Sequence, residues 1–267
     1  MRFGLYLKGG GAKGAFQAGI LCAFWQRGVR YSVVAGTSIG AINGWYVMHN
    51  AYPELERLYK NMAPQYQDLT FSGKVIDNSY LMEDLRKVPG TQNHQIEAFY
   101  VNYSQVKDGK LKEITEDIKG ADSSYALERI RWSSLLPYNY PEMSVDEFRR
   151  HAGETDLSLK FKEDLGNHIY DGFQLDGGMT NNALIRNVFH HSGERVIIIG
   201  YNGSRDEYLE CLKALPVSER ERIIYISADE PFGVSDTYNF DPKFLSQRFQ
   251  EGYEKGINYP LVKLISA

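Results

Sequence analysis

Three short stretches of this 267-residue chain carry residue types that together make acyl-transfer chemistry. Gly36-Thr37-Ser38-Ile39-Gly40 follows a β-type run and opens a helical one. That is the pattern of a nucleophile elbow, in which glycines on both sides let a strained turn lift a serine hydroxyl above a sheet edge. The helix behind it aims its first N–H groups at the reacting atoms. Gly9-Gly10-Gly11-Ala12-Lys13-Gly14 likewise joins a strand to a helix. As a P-loop it fails, because Ala15 and Phe16 stand where Lys and Ser/Thr are required. As a dinucleotide fingerprint Gly9, Gly11 and Gly14 fit, but the next strand ends Val33-Val34-Ala35-Gly36 with no acid for a ribose. The third reading is an oxyanion hole, since consecutive glycines bare adjacent backbone N–H groups. Loss of one such donor typically costs about 100- to 1000-fold in rate.

A serine hydroxyl needs a base. The histidines are His49, His94, His151, His168, His190 and His191. A Ser–acid–His order would require a late loop histidine, yet none follows His191. His190 and His191 end a helix, where histidine commonly meets the last carbonyls. The better base is Asp176, at a strand end before Gly177-Gly178, which allow a second crowded turn. Asp171, before Gly172, reads as an ordinary hairpin aspartate.

The elements that must position these groups alternate. Phe3–Leu7 and Tyr31–Ala35 read as strands, Ala15–Arg27 and Ile39 to about Ala51 as helices, with Gly28 as a helix stop. This βαβα order predicts an α/β fold with a parallel sheet. Pro53 to about Gln95 reads as mostly helical. Glu97–Tyr103 and Leu111–Thr115 form a hairpin around Lys107-Asp108-Gly109-Lys110, and Asp122–Trp132 is a helix capped by Asp122 or Ser123. Pro141–Asp164 has no clear pattern. Ile169–Tyr170 and Phe173–Leu175 flank Asp171-Gly172 as a second hairpin, and Asn181 or Asn182 caps a helix from Ala183 to about Phe189. Arg195–Tyr201 and Arg222–Ile226 are strands around a helix Glu207–Leu215, and Pro242–Lys255 is a last amphipathic helix.

Composition narrows the class. The net charge is −4 with 24% charged residues and no basic stripe, which argues against nucleic acid as a partner. Two cysteines, Cys22 and Cys211, make no disulfide framework and match no metal spacing. No apolar run approaches the roughly 18 residues of a membrane span, and Arg2–Leu7 already reads as a strand, leaving no room for a leader. The expectation is one soluble, cytoplasmic domain over residues 1–267.

Lys8–Gly14, Gly36–Gly40 and Asp176–Gly178 resemble, in order, the three signatures of the patatin-like phospholipase family. Trp132-Ser133-Ser134-Leu135-Leu136-Pro137 is similar to that family's Ala-Ser-x-x-x-Pro stretch, and Asn181-Asn182 to the residues after its acid. The resemblance spans about residues 3–200. It implies a three-layer α/β sandwich with a central, mostly parallel sheet, and a Ser38–Asp176 dyad without a catalytic histidine. It also implies an oxyanion hole in the turn Gly9, Gly10, Gly11 and Ala12, with Lys13, Gly14, Gly36, Gly40, Gly177 and Gly178 supporting the motifs. Lys13 either attracts an anionic head group or lies solvated. No cofactor or metal is implied. The substrate implied is a lipid acyl ester, reached by transient contact with a membrane surface, and segments 53–95 and 137–164 are candidate lids. The chain departs from the family at Trp132, which replaces a small residue and implies a narrower acyl pocket. It departs again at Asn182-Ala183-Leu184, which lacks a proline. Two alternatives stay open: a non-catalytic nucleotide- or phosphate-binding module, and a hydrolase of small esters or thioesters.

Overall fold

The computed structural model describes residues 2–61, 70–140, 142–151, 155–191, 195–203, 208–209 and 212–262. The chain begins with β1 (Arg2–Leu7), α1 (Gly14–Gln26), β2 (Arg30–Gly36), α2 (Ile39–Met48) and α3 (Tyr52–Lys60). A two-residue hairpin, β3 (Phe71–Ser72) and β4 (Val75–Ile76), leads into α4 (Ser79–Arg86). Then come β5 (Ala98–Lys107), β6 (Lys110–Asp117), α5 (Ser123–Ser133), α6 (Val145–His151), α7 (Thr155–Gly166) and β7 (Gln174–Asp176). The last large elements are α8 (Ile185–His191), β8 (Val196–Ile199), β9 (Ile223–Ile226) and the helix Pro242–Asn258.

The main sheet runs β6-β5-β2-β1-β8-β9, with β7 added beside β5. All pairs from β5 to β9 along this path are parallel, while β6 and β7 are antiparallel to β5. Period-two alternation sends successive apolar side chains to opposite faces. Leu5, Leu7, Val34, Phe99, Ile197 and Ile199 enter one core with α1, α2 and α3, whereas Tyr6, Val33, Ala35, Ile198 and Ile223 enter a second with α8. Burial on both faces explains why these strands are continuous apolar runs, and it gives the expected three-layer α/β architecture. Helix α1 is buried over most of its circumference, because the helix Pro242–Asn258 covers the side that the sheet does not. The two approach through glycine: a methyl at Gly252 would collide with the Phe16 carbonyl, and one at Gly19 with the Phe249 carbonyl.

Local chemistry sets the ends. Asp108 and Gly109 have φ of 51° and 66°, the positive pair that closes a two-residue hairpin between β5 and β6. Asp122 caps α5 by accepting the Ser124 N–H at 2.8 Å. Elsewhere the local signals misled. The described residues of 53–95 contain two helices and a hairpin rather than mostly helix, and the unpatterned stretch 141–164 holds α6 and α7. The Asp171-Gly172 turn exists, but residues 169–170 form no strand, because β7 pairs with β5 instead. Neither Asn181 nor Asn182 caps α8; Asn181 accepts the Ala183 N–H at 2.8 Å in the loop ahead of it. The expected helix 207–215 and Cys211 fall partly or wholly outside the described residues.

Substituting Gly252→Ala forces α1 and its partner helix apart and lowers stability by about 1–3 kcal/mol in urea unfolding. Gly166→Ala, where a Cβ meets nothing within 4 Å, shifts it by less than about 0.5 kcal/mol.

Candidate active site

Strand β5 holds two other strands end to end along one edge. β2 pairs with it as far as Gly36 opposite Val101, and β7, running antiparallel, ends with Asp176 opposite Tyr103. The turn after β2 and the turn after β7 therefore face each other across one residue of β5, Asn102. That side chain is fully buried. Its Oδ1 accepts the Thr37 hydroxyl at 2.9 Å, and its Nδ2 donates to the Asn181 carbonyl at 2.9 Å. Gly177 has to be glycine because a Cβ there would collide with the Asn102 Oδ1.

Ser38 occupies φ 56°, ψ −125°, a backbone region that residues with a side chain rarely enter. The flanking glycines explain how the turn stays this tight. A Cβ on Gly36 would press on the Gly40 carbonyl, and one on Gly40 would collide with the Leu7 carbonyl. The Ser38 N–H donates to the buried Ser133 Oγ at 2.8 Å, and the Thr37 N–H to the Leu7 carbonyl at 3.1 Å. These bonds hold the strained turn in place from two sides.

Asp176 is 4% exposed. Burial pushes its carboxyl from the ordinary 3.8 up to about 6; the Ser38 hydroxyl and the Gly178 N–H, which favour the charged form, offset part of that rise. The Gly178 N–H donates to Asp176 Oδ1 at 2.7 Å. Backbone contacts fix the acid further: its N–H donates to the Leu135 carbonyl at 2.8 Å, and its carbonyl accepts the Ser104 hydroxyl at 2.9 Å. Asp171 is a surface group instead, held low by the Gly109 N–H and His168. Among the described residues no histidine acts on Asp176. His49 meets the Trp45 carbonyl, His168 pairs with Asp171 and His191 packs on Tyr100.

The glycine turn after β1 lies against the same centre. A Cβ on Gly9 would sit 3.1 Å from the Ser38 Cβ. The Gly9 N–H, however, donates to Asn182 Oδ1 at 2.8 Å, and the Gly9 carbonyl accepts from Asn182 Nδ2 at 3.2 Å. Gly9 therefore leaves the set of expected oxyanion donors, and Asn182 is a clamp between the acid motif and the glycine turn. Gly10, Gly11 and Ala12 precede or open the single 3-10 turn Gly11–Lys13, whose first N–H groups have no partner within the turn. Gly11 has φ 56°. Gly14 packs against Ile39, where a Cβ would collide with that side chain. Lys13 is half-buried; burial lowers its ammonium pKa and Asp236 nearby opposes that.

A cavity of about 120 Å³ opens beside Ser38, its apolar lining including Ile39, Ile42, Ile76, Leu81 and Leu136. Residues 70–81 of the first expected lid segment supply one wall. Trp132 does not line this cavity; its ring packs on Tyr103, with centroids 5.0 Å apart, so the expected narrowing at this residue does not occur here. The sequence reading missed Asn102 and Ser133 as supports. Asn102 had one signal, a polar side chain between the run Phe99–Val101 and Tyr103.

A family model described as patatin-like phospholipase matches residues 5–189, which contain all three motifs. The patatin-like phospholipase domain-containing protein 7 of Rattus norvegicus is 27% identical over 213 residues, covering 76% of this chain. This chain spans only 14% of the length of that relative. VipD from Legionella pneumophila superposes with a TM-score of 0.43 and 16% identity over 96% of this chain and 66% of its own. The ExoU–SpcU complex of the Pseudomonas aeruginosa type III secretion system gives 0.38 and 13% over 96% and 52%. These two likenesses add nothing to the family assignment. The family model alone covers more than half of the sequence, and the chain belongs to the patatin-like phospholipase family.

Proposed function

We propose that this chain is a serine acyl hydrolase that cleaves fatty-acyl esters of phospholipids or lysophospholipids, acting as one domain. The observation that carries the reading is a buried, proton-hungry carboxylate facing the hydroxyl of a serine held in a strained turn. Ser38 Oγ attacks the ester carbonyl while Asp176 takes its proton. The carbonyl oxygen becomes an oxyanion held by the N–H groups of Gly10, Gly11 and Ala12. The alcohol departs with a proton that comes, in net, from Asp176, leaving the acyl group on Ser38 and Asp176 again a carboxylate. Asp176 then deprotonates a water that releases the fatty acid. An ordinary carboxylate is a weak base for a hydroxyl, so the rise to about 6 brings the acid closer to a useful base strength at neutral pH.

The apolar lining suits an acyl chain, and Tyr80 stands 47% exposed at the cavity wall, where it can meet a lipid surface. No helix among the described residues is long and apolar enough to cross a membrane. In this reading lipid is reached by peripheral contact, with residues 70–81 walling the cavity.

A fluorophosphonate probe is expected to label Ser38 in the folded chain, with labelling lost in Ser38→Ala and reduced at least about 100-fold in Asp176→Asn. The wild-type labelling rate is expected to climb with pH through about 6, as Asp176 ionises. Stability moves the other way. The folded chain holds the Asp176 proton more tightly than the unfolded chain, so this group's contribution is complete below pH about 4 and is lost as pH rises through about 6. Its loss is worth about 3 kcal/mol. Asp176→Asn keeps an acceptor for the Gly178 N–H and has no charge to bury. It is expected to unfold at higher temperature than wild type at pH 8, with the gain vanishing near pH 4. A neutral or destabilising effect at pH 8 contradicts the buried-charge account.

A further inference from the structure

The described residues assign a partner to two of the three charges that move during ester cleavage. Asp176 takes the serine proton, and the glycine turn holds the carbonyl oxygen. The third is on the departing alcohol oxygen, which leaves with the bond pair and needs a proton. The donors that line the cavity can be compared one by one. Asn78 Nδ2 already donates to the Arg131 carbonyl and to Ser134 Oγ, at 3.0 and 2.8 Å. The Ser134 hydroxyl donates to the Ile130 carbonyl at 2.9 Å. Asp77 Oδ1 is an acceptor taken by Ser79. Thr70 and Tyr80 are exposed, and Thr237 turns its methyl group toward Gly11.

Tyr238 is different. It belongs to the single 3-10 turn Ser235–Tyr238, which lies outside the matched residues 5–189 and yet walls the cavity beside Ser38. The turn sits directly on the glycine loop, so that a Cβ on Gly11 would collide with the Thr237 carbonyl. Asp236 closes it by accepting the Gly233 N–H at 2.8 Å, and the Tyr238 ring stands edge-on to Phe148 with centroids 4.9 Å apart. The ring is thus fixed, and its hydroxyl has no hydrogen-bond partner among the described residues. Burial first, and then the nearby Asp176 charge, raise the pKa of the Tyr238 hydroxyl.

Resting on the serine-hydrolase reading, we propose that Tyr238 is a third catalytic residue, the proton donor to the departing alcohol oxygen. As the carbon–oxygen bond of the tetrahedral intermediate breaks, the bond pair goes to the alcohol oxygen, and that oxygen takes the Tyr238 proton. The tyrosinate regains a proton from the Asp176 carboxylic acid, directly or through one water. Asp176 obtained that proton from Ser38, so no net charge is left on the protein and the products are the acyl-enzyme and a neutral alcohol. Asp176 is again a carboxylate, ready to deprotonate the water of the second step.

Such a donor matters only when the leaving oxygen is strongly basic, which gives a test with its own internal reference. The Tyr238→Phe variant keeps the ring and its contact with Phe148. Wild type and variant are compared on an alkyl ester and a 4-nitrophenyl ester of one fatty acid, and in Ser38 labelling by a fluorophosphonate, whose fluoride leaves without a proton. The variant is expected to lose at least about 100-fold in kcat on the alkyl ester. On the 4-nitrophenyl ester and in labelling it is expected to fall by less than about threefold, within the scale of a lost neutral hydrogen bond. An equal loss on both esters, or no loss on the alkyl ester, overturns the proposal while leaving Ser38 and Asp176 in place. If wild type itself fails to label, the serine-hydrolase reading falls, and this role for Tyr238 falls with it.

Discussion

Everything at this site depends on one strand serving two others. β5 is long enough to carry β2 along its first half and β7 along its second, on the same edge and in opposite directions. Two turns that would otherwise lie on separate parts of the sheet are brought nose to nose, with a single residue of β5 between their last paired positions. Ordinary sheet hydrogen bonding thereby sets a spacing that side-chain chemistry requires. Asn102 fills the junction, where both strands have stopped and unpaired polar groups would be costly. Its amide answers the Thr37 hydroxyl on one side and the Asn181 carbonyl on the other, so the Ser38 turn and the Asp176 turn share one rigid support.

Two local penalties are concentrated there. Ser38 is held in a sparsely populated backbone region, and Asp176 is buried with no cation among the described residues acting on it. Neither would persist in a loosely packed molecule. The rigid surroundings are the two-faced sheet core and the apolar helix α1, pressed between that sheet and the helix Pro242–Asn258. Clamps at the turns complete the support: Ser133 on the Ser38 N–H, Asn182 on Gly9 and Ser104 on the Asp176 carbonyl. The same burial that destabilises the carboxylate makes it a stronger base, so one physical term sets both stability and chemistry.

The parts of the site that were legible in the sequence are those where chemistry needs an unusual backbone. Glycine at 36, 40 and 177 marks places where a Cβ has no room, and that mark is local. The strand and helix order of the first 48 residues was legible for a similar reason, since periodicity is carried by neighbours. What escaped was long-range. The segment ending at Asp176 looked like half of a hairpin around Asp171-Gly172, because nothing nearby says that its partner is β5. Gly9 looked equivalent to Gly10 and Gly11 until Asn182, far along the chain, took its N–H. Asn102 carried only a polar residue in an apolar strand, which names no partner. Trp132 was placed in the acyl pocket by motif position, whereas its ring found Tyr103.

In the proposed reaction, burial opposite Ser38 turns Asp176 into a lone base. Site-resolved carboxyl ¹³C NMR of Asp176, followed from pH 3 to 9 in wild type and in Ser38→Ala, addresses it without substrate or assay. A midpoint near 6 is expected in wild type and a higher one in Ser38→Ala, because the serine hydroxyl favours the charged form. A midpoint at the ordinary value near 4, unmoved by removal of the hydroxyl, would contradict it.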